Sequence, residues 1–195
     1  MDIKVILASA SPRRLELLRQ VGIEPVVEPS HVEEVITSME PDKAVMELSA
    51  QKAKDIAALH AGEEAVVIGA DTVVAAAGEI LAKPSNREDA VRMLTLLQGR
   101  AHQVYTGVTL VFCGGKPRTV TFAERTDVFV CPMSRAQIEA YVDTGEPMDK
   151  AGAYGVQSLG ALLVERIDGD FYNVMGLPVE KLGQCLTKHF GVRFF

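Results

Sequence analysis

The sequence predicts an α/β domain, a mixed sheet with flanking helices. Two observations carry that expectation. Apolar runs of strand length alternate with stretches spaced for amphipathic helices. Two long runs, residues 102–112 and 118–130, also meet at Gly114-Gly115 as the arms of an antiparallel hairpin would. The 195 residues suffice for one domain, or two closely packed lobes, around a continuous core.

Residues 3–8 read as a buried strand. Ser11-Pro12 supplies a helix cap followed by a first-turn proline; Leu15, Leu17, Leu18 and Val21 give that helix its buried face, and Gly22 stops it. A second strand is expected near residues 25–28 and a second helix over 44–60. Residues 65–69 read as a buried strand ending at Ala70-Asp71, followed by 72–77 and a turn at Gly78. Ser85 and Glu88 have the spacing of a capping box for a helix over 86–97, closed by Gly99; Ser134 and Gln137 have it for a helix ending at Gly145. Residues 161–167 read as a strand and 179–190 as the last helix. No internal repeat or linker interrupts this order.

The charge balance is acidic, 20 Lys+Arg against 26 Asp+Glu, which argues against a protein that grips nucleic acid through its phosphates. Any anion site must be a local basic pocket. Cys113, Cys131 and Cys185 are scattered, with no CxxC, and read as free thiols of a reducing compartment. After Met1-Asp2-Ile3-Lys4 only about six apolar residues follow, too few for a signal-peptide core. The apolar stretch 65–77 is broken by Asp71 and Thr72 and falls short of the roughly 20 residues a membrane span needs. The expectation is a cytoplasmic protein that does not cross a membrane.

Three places carry candidate chemistry. If Ser11 caps a helix, Arg13 and Arg14 lie in its first turn, where the helix dipole disfavours cations. Either they are solvated, or an anion held by backbone N–H groups, serine hydroxyls and guanidinium forks sits beside them. No GxxxxGK[ST] occurs, so this is not a P-loop. Asp71, placed at the end of an apolar strand, either starts a turn or faces a ligand, metal or water; Thr72 beside it admits both readings. In the helix over 44–60, Val45, Leu48, Lys52, Ile56 and Leu59 fall on one stripe and Lys54 does not. Lys52 either snorkels to the surface or points into an anion pocket, and Lys83-Pro84 offers a second lysine. Glu33-Glu34 offers paired carboxylates on a loop. Residues 149–157 mix Gly, Ala and Tyr154 with Gln157, a surface suited to a flat ligand. Asp168-Gly169-Asp170 reads as a tight turn between strands, and His31, His60, His102 and His189 share no ligand spacing.

Taken together these segments resemble the Maf family of nucleotide pyrophosphatases. Leu7-Ala8-Ser9-Ala10-Ser11-Pro12-Arg13-Arg14, Gly69-Ala70-Asp71-Thr72-Val73-Val74, Lys83-Pro84, Thr106-Gly107-Val108, Asp149-Lys150-Ala151-Gly152-Ala153-Tyr154-Gly155 and Gly176-Leu177-Pro178 match its signatures in order. The form with Ser-Pro-Arg-Arg, Ala-Asp-Thr and Gln157 resembles the branch acting on dTTP and UTP. The resemblance implies a two-lobed domain over residues 1–195 around a nucleotide-binding cleft, similar to inosine triphosphatases. It implies hydrolysis of a nucleoside triphosphate to the monophosphate and pyrophosphate. In that reading Asp71 accepts a proton from water, and Glu34 with Asp71 holds a divalent cation, magnesium or manganese. Arg13, Arg14, Lys52 and Lys83 neutralise the triphosphate, Ser9 lines the same loop, and Thr72, Gln157 and Arg13 select the base. The resemblance leaves room for a homodimer. Two departures stand out: the acidic pair is Glu33-Glu34 where many members have Asp-Glu, and Ser158 follows Gln157 where glycine is common. Two other classes are a non-hydrolysing nucleotide-binding regulator of cell division or septum formation, and a phosphatase releasing orthophosphate. Intact Asp71, Lys52 and Lys83 speak against a degenerate site.

Overall fold

The computed structural model describes residues 3–116 and 118–195. Its first apolar run forms β1 (Lys4–Leu7), whose Val5, Ile6 and Leu7 are all buried because the strand lies between two parallel neighbours. Leu7 pairs with Val27 of β2 (Val26–Val27) on one side and with Ile68 of β3 (Ala65–Ala76) on the other. Between them, α1 (Pro12–Gln20) starts as expected: the Ser11 side chain accepts from the Arg14 N–H, and Pro12 occupies the first turn.

α2 (Pro41–Leu59) begins three residues earlier than the sequence suggests and ends one earlier. Pro41 has no N–H to lose and fits a first turn. Val45, Leu48 and Ile56 are buried as expected, but Leu59 is 72% exposed, because the helix ends there and the chain turns away at His60. Ala53 and Ala57 share the inward face instead.

The largest correction concerns β3. The expected break at Ala70-Asp71 is absent: the strand runs unbroken to Ala76 and then turns through Ala77-Gly78 into β4 (Glu79–Leu81). Its partners change along its length. The parallel pairing with β1 reaches Leu7↔Ile68, and antiparallel pairing with β4 begins at Val74↔Leu81. Asp71 therefore sits inside a strand, just beyond the end of the parallel ladder, and not at the head of a turn.

α3 (Arg87–Leu97) is capped one residue later than expected. Asn86 is the cap, accepting from the Asp89 N–H, and the Asp89 carboxylate reaches back to Ser85 N; Glu88 takes no part in a box with Ser85. Asparagine supplies the same short acceptor as serine. β5 (Ala101–Phe112) and β6 (Arg118–Val130) are the two long strands expected. α4 (Arg135–Asp143) carries the complete Ser134–Gln137 capping box. Residues 161–162 belong to a 3₁₀ turn, Ser158–Leu162, so the following strand, β7 (Val164–Asp168), starts later than expected. Asp168-Gly169-Asp170 leads not into a strand but into the short α5 (Phe171–Met175), where Asp170 accepts from the Tyr172 N–H. α6 (Val179–Phe190) matches its expected limits.

The seven strands form one mixed sheet in the order β2-β1-β3-β5-β6-β7, with β4 added on β3, and helices flank it. The chain divides into two compact units. Unit 1 comprises Met1–Asp71, Thr106–Glu124 and Gly176–Phe195; unit 2 comprises Thr72–Tyr105 and Arg125–Met175. In unit 1, Ile6, Ala8, Ile56, Val67 and Val111 pack together. In unit 2, Val74, Leu94, Val104, Val128 and Tyr154 do so. No helix among the described residues is long and apolar enough to cross a membrane. All three cysteines are free.

Candidate active site

The geometry of unit 1 starts from two glycines. A Cβ on Gly69 of β3 would lie 2.4 Å from the Ser49 carbonyl oxygen and 2.7 Å from the Ala53 nitrogen. On Gly107 of β5 it would lie 2.2 Å from the Val45 carbonyl oxygen. Both would strike the backbone of α2, so only glycine lets that helix lie this close to the strands. The contact is tied laterally by the buried Ser49 hydroxyl, 2.9 Å from that of Thr109.

Close packing brings Lys52 to Asp71. The residue lies between Ser49 and Ala53, on the turn of α2 that touches Gly69, and its ammonium is 2.5 Å from Asp71 Oδ1. It is also 2.9 Å from Glu34 Oε1. Lys52 and Asp71 side chains are 15% and 16% exposed, whereas Lys54 points to solvent. An apolar-row lysine that meets two carboxylates is not merely snorkelling. Glu34 stands on an extended strap, residues 28–38, that α2 holds turn by turn. Ser30 donates to Asp55, Gln51 brackets Val35 by accepting from its N–H and donating to its carbonyl, and Glu47 accepts twice from Thr37. Glu34, not Glu33, meets the lysine.

Arg14 adds a second arm. Its guanidinium donates to the Gly176 carbonyl at 2.8 Å and to Ser9 Oγ at 3.0 Å, and Ser9 Oγ also accepts from the Ser11 N–H. Burial lowers the Arg14 pKa from its ordinary value; the charges of Asp71 and Glu34 oppose that shift and the charge of Arg13 adds to it. Arg14 thus feels the charges of Asp71, Arg13 and Glu34. Ser9, Arg13, Arg14, Glu34, Lys52 and Asp71 all belong to unit 1, whose capped start of α1 is a place where an anion is favoured.

The remaining sequence candidates lie in unit 2. Thr72 follows Asp71 along β3, and as successive strand residues they face opposite sides of the sheet. Lys83 is exposed, after β4. Its neighbour Ala82 accepts from the Gly152 N–H at 3.1 Å, which ties the lysine segment to the glycine-rich one. Gly152 has φ +69°, and a Cβ there would meet Val74 Cγ2 at 2.8 Å. Gln157 is half-buried and makes no capping bond to the 3₁₀ turn it precedes. Sequence reasoning missed Gln51 and Glu47, which hold the strap, and Glu146, which holds the segment around Gln157. Their i-to-distant partners leave no local pattern.

Comparison with known proteins follows the same lines. A family model described as Maf-like protein matches residues 4–189. A protein of Agathobacter rectalis named dTTP/UTP pyrophosphatase is 49% identical over 198 residues, covering 95% of this chain and 97% of its own. Proteins of the same name from Symbiobacterium thermophilum (49% identical, 98% of this chain, 96% of the other) and Bacillus pumilus (46%, 98% and 99%) are similar throughout. Among solved structures, the Staphylococcus aureus Ham1 protein gives a TM-score of 0.48 at 17% identity, over 65% of this chain and 71% of that one.

Proposed function

The chain belongs to the Maf family, and on that premise we propose that it is a cytoplasmic pyrophosphatase hydrolysing dTTP and UTP to the monophosphate and pyrophosphate. The observation that carries the reading is the meeting in unit 1 of Lys52 with the Glu34 and Asp71 carboxylates, whose charges are also felt by Arg14, bound to Ser9 in the first turn of α1. A triphosphate needs several cationic groups, and the hydrolysis of its α–β bond needs one basic oxygen for the proton of the attacking water. Relatives that share almost the whole length of the chain bear that activity in their names.

Asp71 takes the proton as water attacks the α-phosphorus and the α–β oxygen bond breaks, releasing pyrophosphate. Lys52, ion-paired with the Asp71 carboxylate, orients it. Arg13, Arg14 and Lys83 neutralise the phosphates, with Ser9 fixing the Arg14 fork. Thr72, Gln157 and Arg13 choose the base. Glu34 and Asp71, the carboxylates that meet the Lys52 ammonium, are hard oxygen donors of the kind that suits magnesium or manganese, and would be the protein ligands of such a divalent cation. Among the described residues no group of three or more His, Cys, Asp or Glu gathers to hold a metal, so phosphate oxygens and water would complete the shell, as is usual for magnesium. Such a cation, when bound, would supply charge neutralisation to the phosphates.

Incubation of UTP or dTTP with magnesium chloride, followed by separation of the products, tests the proposal. The expected outcome is monophosphate and pyrophosphate in equal amounts. Diphosphate with orthophosphate as first products would overturn it, and no turnover at all would favour the regulator.

A further inference from the structure

Unit 2 contains a stretch of backbone that local sequence does not favour. Ala153 and Ser158 have φ of +60° and +55°, a region where a residue with a Cβ is strained by roughly 1 kcal/mol or more. Surrounding contacts must hold this shape: Ala153 donates to the Lys150 carbonyl, and just after Ser158 one carboxylate takes two successive amides. Glu146 Oε1 accepts from the Gly160 N–H at 2.8 Å and from the Tyr141 hydroxyl at 3.0 Å, and Oε2 accepts from the Leu159 N–H at 3.1 Å. Lys150 closes the other side, donating to the Glu146 carbonyl at 2.6 Å and to Asp149 at 2.7 Å. Gly160 cannot carry a side chain, since a Cβ would lie 2.1 Å from the Gly155 carbonyl oxygen. Burial works to raise the Glu146 pKa, yet the bonds from Gly160, Tyr141 and Leu159 outweigh it and leave the carboxyl below its ordinary value. The acceptor is therefore charged, and charge-assisted bonds are the stronger kind.

Gln157 sits two residues before the first of the two clamped amides, in extended backbone, with the strained Ser158 between them. We propose that Glu146, supported by Tyr141, is a positioning residue for base selection: it holds residues 157–160 so that the Gln157 amide is presented in one orientation. The proposal rests on the reading of Gln157 as a base-selecting residue. It needs no contact between Glu146 and the nucleotide.

A double-mutant cycle tests it, with kcat/KM for UTP and for ATP measured in the wild type, Glu146→Gln, Gln157→Ala and the double variant. Tyr141→Phe, which removes one hydroxyl and keeps the ring, serves as a milder second variant, and thermal unfolding checks that each is folded. Each single variant is expected to lower the UTP-to-ATP ratio by about 5- to 10-fold, the worth of one oriented hydrogen bond. For Glu146→Gln and Tyr141→Phe the change should lie in KM more than in kcat. The double variant should show a ratio no lower than Gln157→Ala alone, because a misplaced amide and a missing one lose the same contact. A ratio that falls in Gln157→Ala but stays at the wild-type value in folded Glu146→Gln and Tyr141→Phe overturns the clamp and leaves the base reading standing. Additive losses in the double variant overturn it equally. An unchanged ratio in Gln157→Ala overturns the base reading and the clamp with it.

Discussion

Two regions of the molecule solve the placement of functional side chains in opposite ways. In unit 1 the charged groups ride on regular elements: Lys52 on α2 and Asp71 on β3. Helix and strand approach so closely at Gly69 and Gly107 that the ion pair has little freedom. In unit 2 the groups around Gln157 ride on short 3₁₀ turns with left-handed residues, and a single charged acceptor, Glu146, gathers them. The Lys52–Asp71 pair is fixed by backbone against backbone. The second arrangement is fixed by side-chain hydrogen bonds. Chemistry that moves a proton tolerates little misplacement, whereas a surface that reads a base can be built on a loop whose shape one clamp sets.

That contrast can be broken by mutation. The largest effect is expected at Asp71. Asp71→Asn keeps the volume and removes the basic oxygen, so kcat should fall by roughly 10²-fold or more with the fold intact. Lys52→Ala should also lower turnover while Lys54→Ala, on the exposed side of the same helix, should not. Near-normal turnover in Asp71→Asn, or equal damage from the two lysine variants, would detach this ion pair from catalysis. Gly69→Ala comes next. Its methyl group meets helix backbone that cannot swing aside, so unfolding in urea should show a loss of about 1–3 kcal/mol. In unit 2, a Gly155→Ala methyl would meet Lys150 side-chain carbons at 2.9 and 3.0 Å and the Gln157 nitrogen only at 3.9 Å, and side-chain carbons yield more readily than backbone. Its cost should be clearly smaller, and equal costs at the two glycines would erase the distinction between the regions.

The last effect concerns pH. His102 is buried in unit 2, its Nε2 2.7 Å from the Tyr154 hydroxyl and its Nδ1 without a hydrogen-bond partner. Burial pushes its pKa down to about 4, against about 6.5 in an unfolded chain. Between those values the unfolded chain binds a proton that the folded one does not, so stability drops as pH falls from 6.5 towards 4. The slope from this residue is at most about 1.4 kcal/mol per pH unit. Urea unfolding at pH 7 and pH 5 should show that loss, and His102→Asn should flatten it relative to the wild type. An unaltered slope in the variant would assign the acid sensitivity to other groups.

What the sequence determined by itself is what depends on neighbours a few residues apart. Ser11-Pro12 begins α1 and Ser134 with Gln137 begins α4, because a cap satisfies N–H groups two or three residues on, whatever the rest of the chain does. The alternation of apolar runs indicated the mixed sheet, and the helical period placed Lys52 inward and Lys54 outward. Tertiary structure decided the rest. β3 continues through Asp71 because β1 and β4 supply partners in succession, which no window of sequence around Ala70 records. The distance from Lys52 to Asp71 depends on glycines in two strands meeting the backbone of one helix, and the choice of Glu34 over Glu33 depends on a strap bound along that helix. Glu146 shows no periodicity or capping pattern that would single it out, since two of its partners lie 13 and 14 residues away and are brought to it by turns. Local hydrogen bonding is written in sequence because its geometry is short-range; the meeting of charges is not, because packing sets the distance.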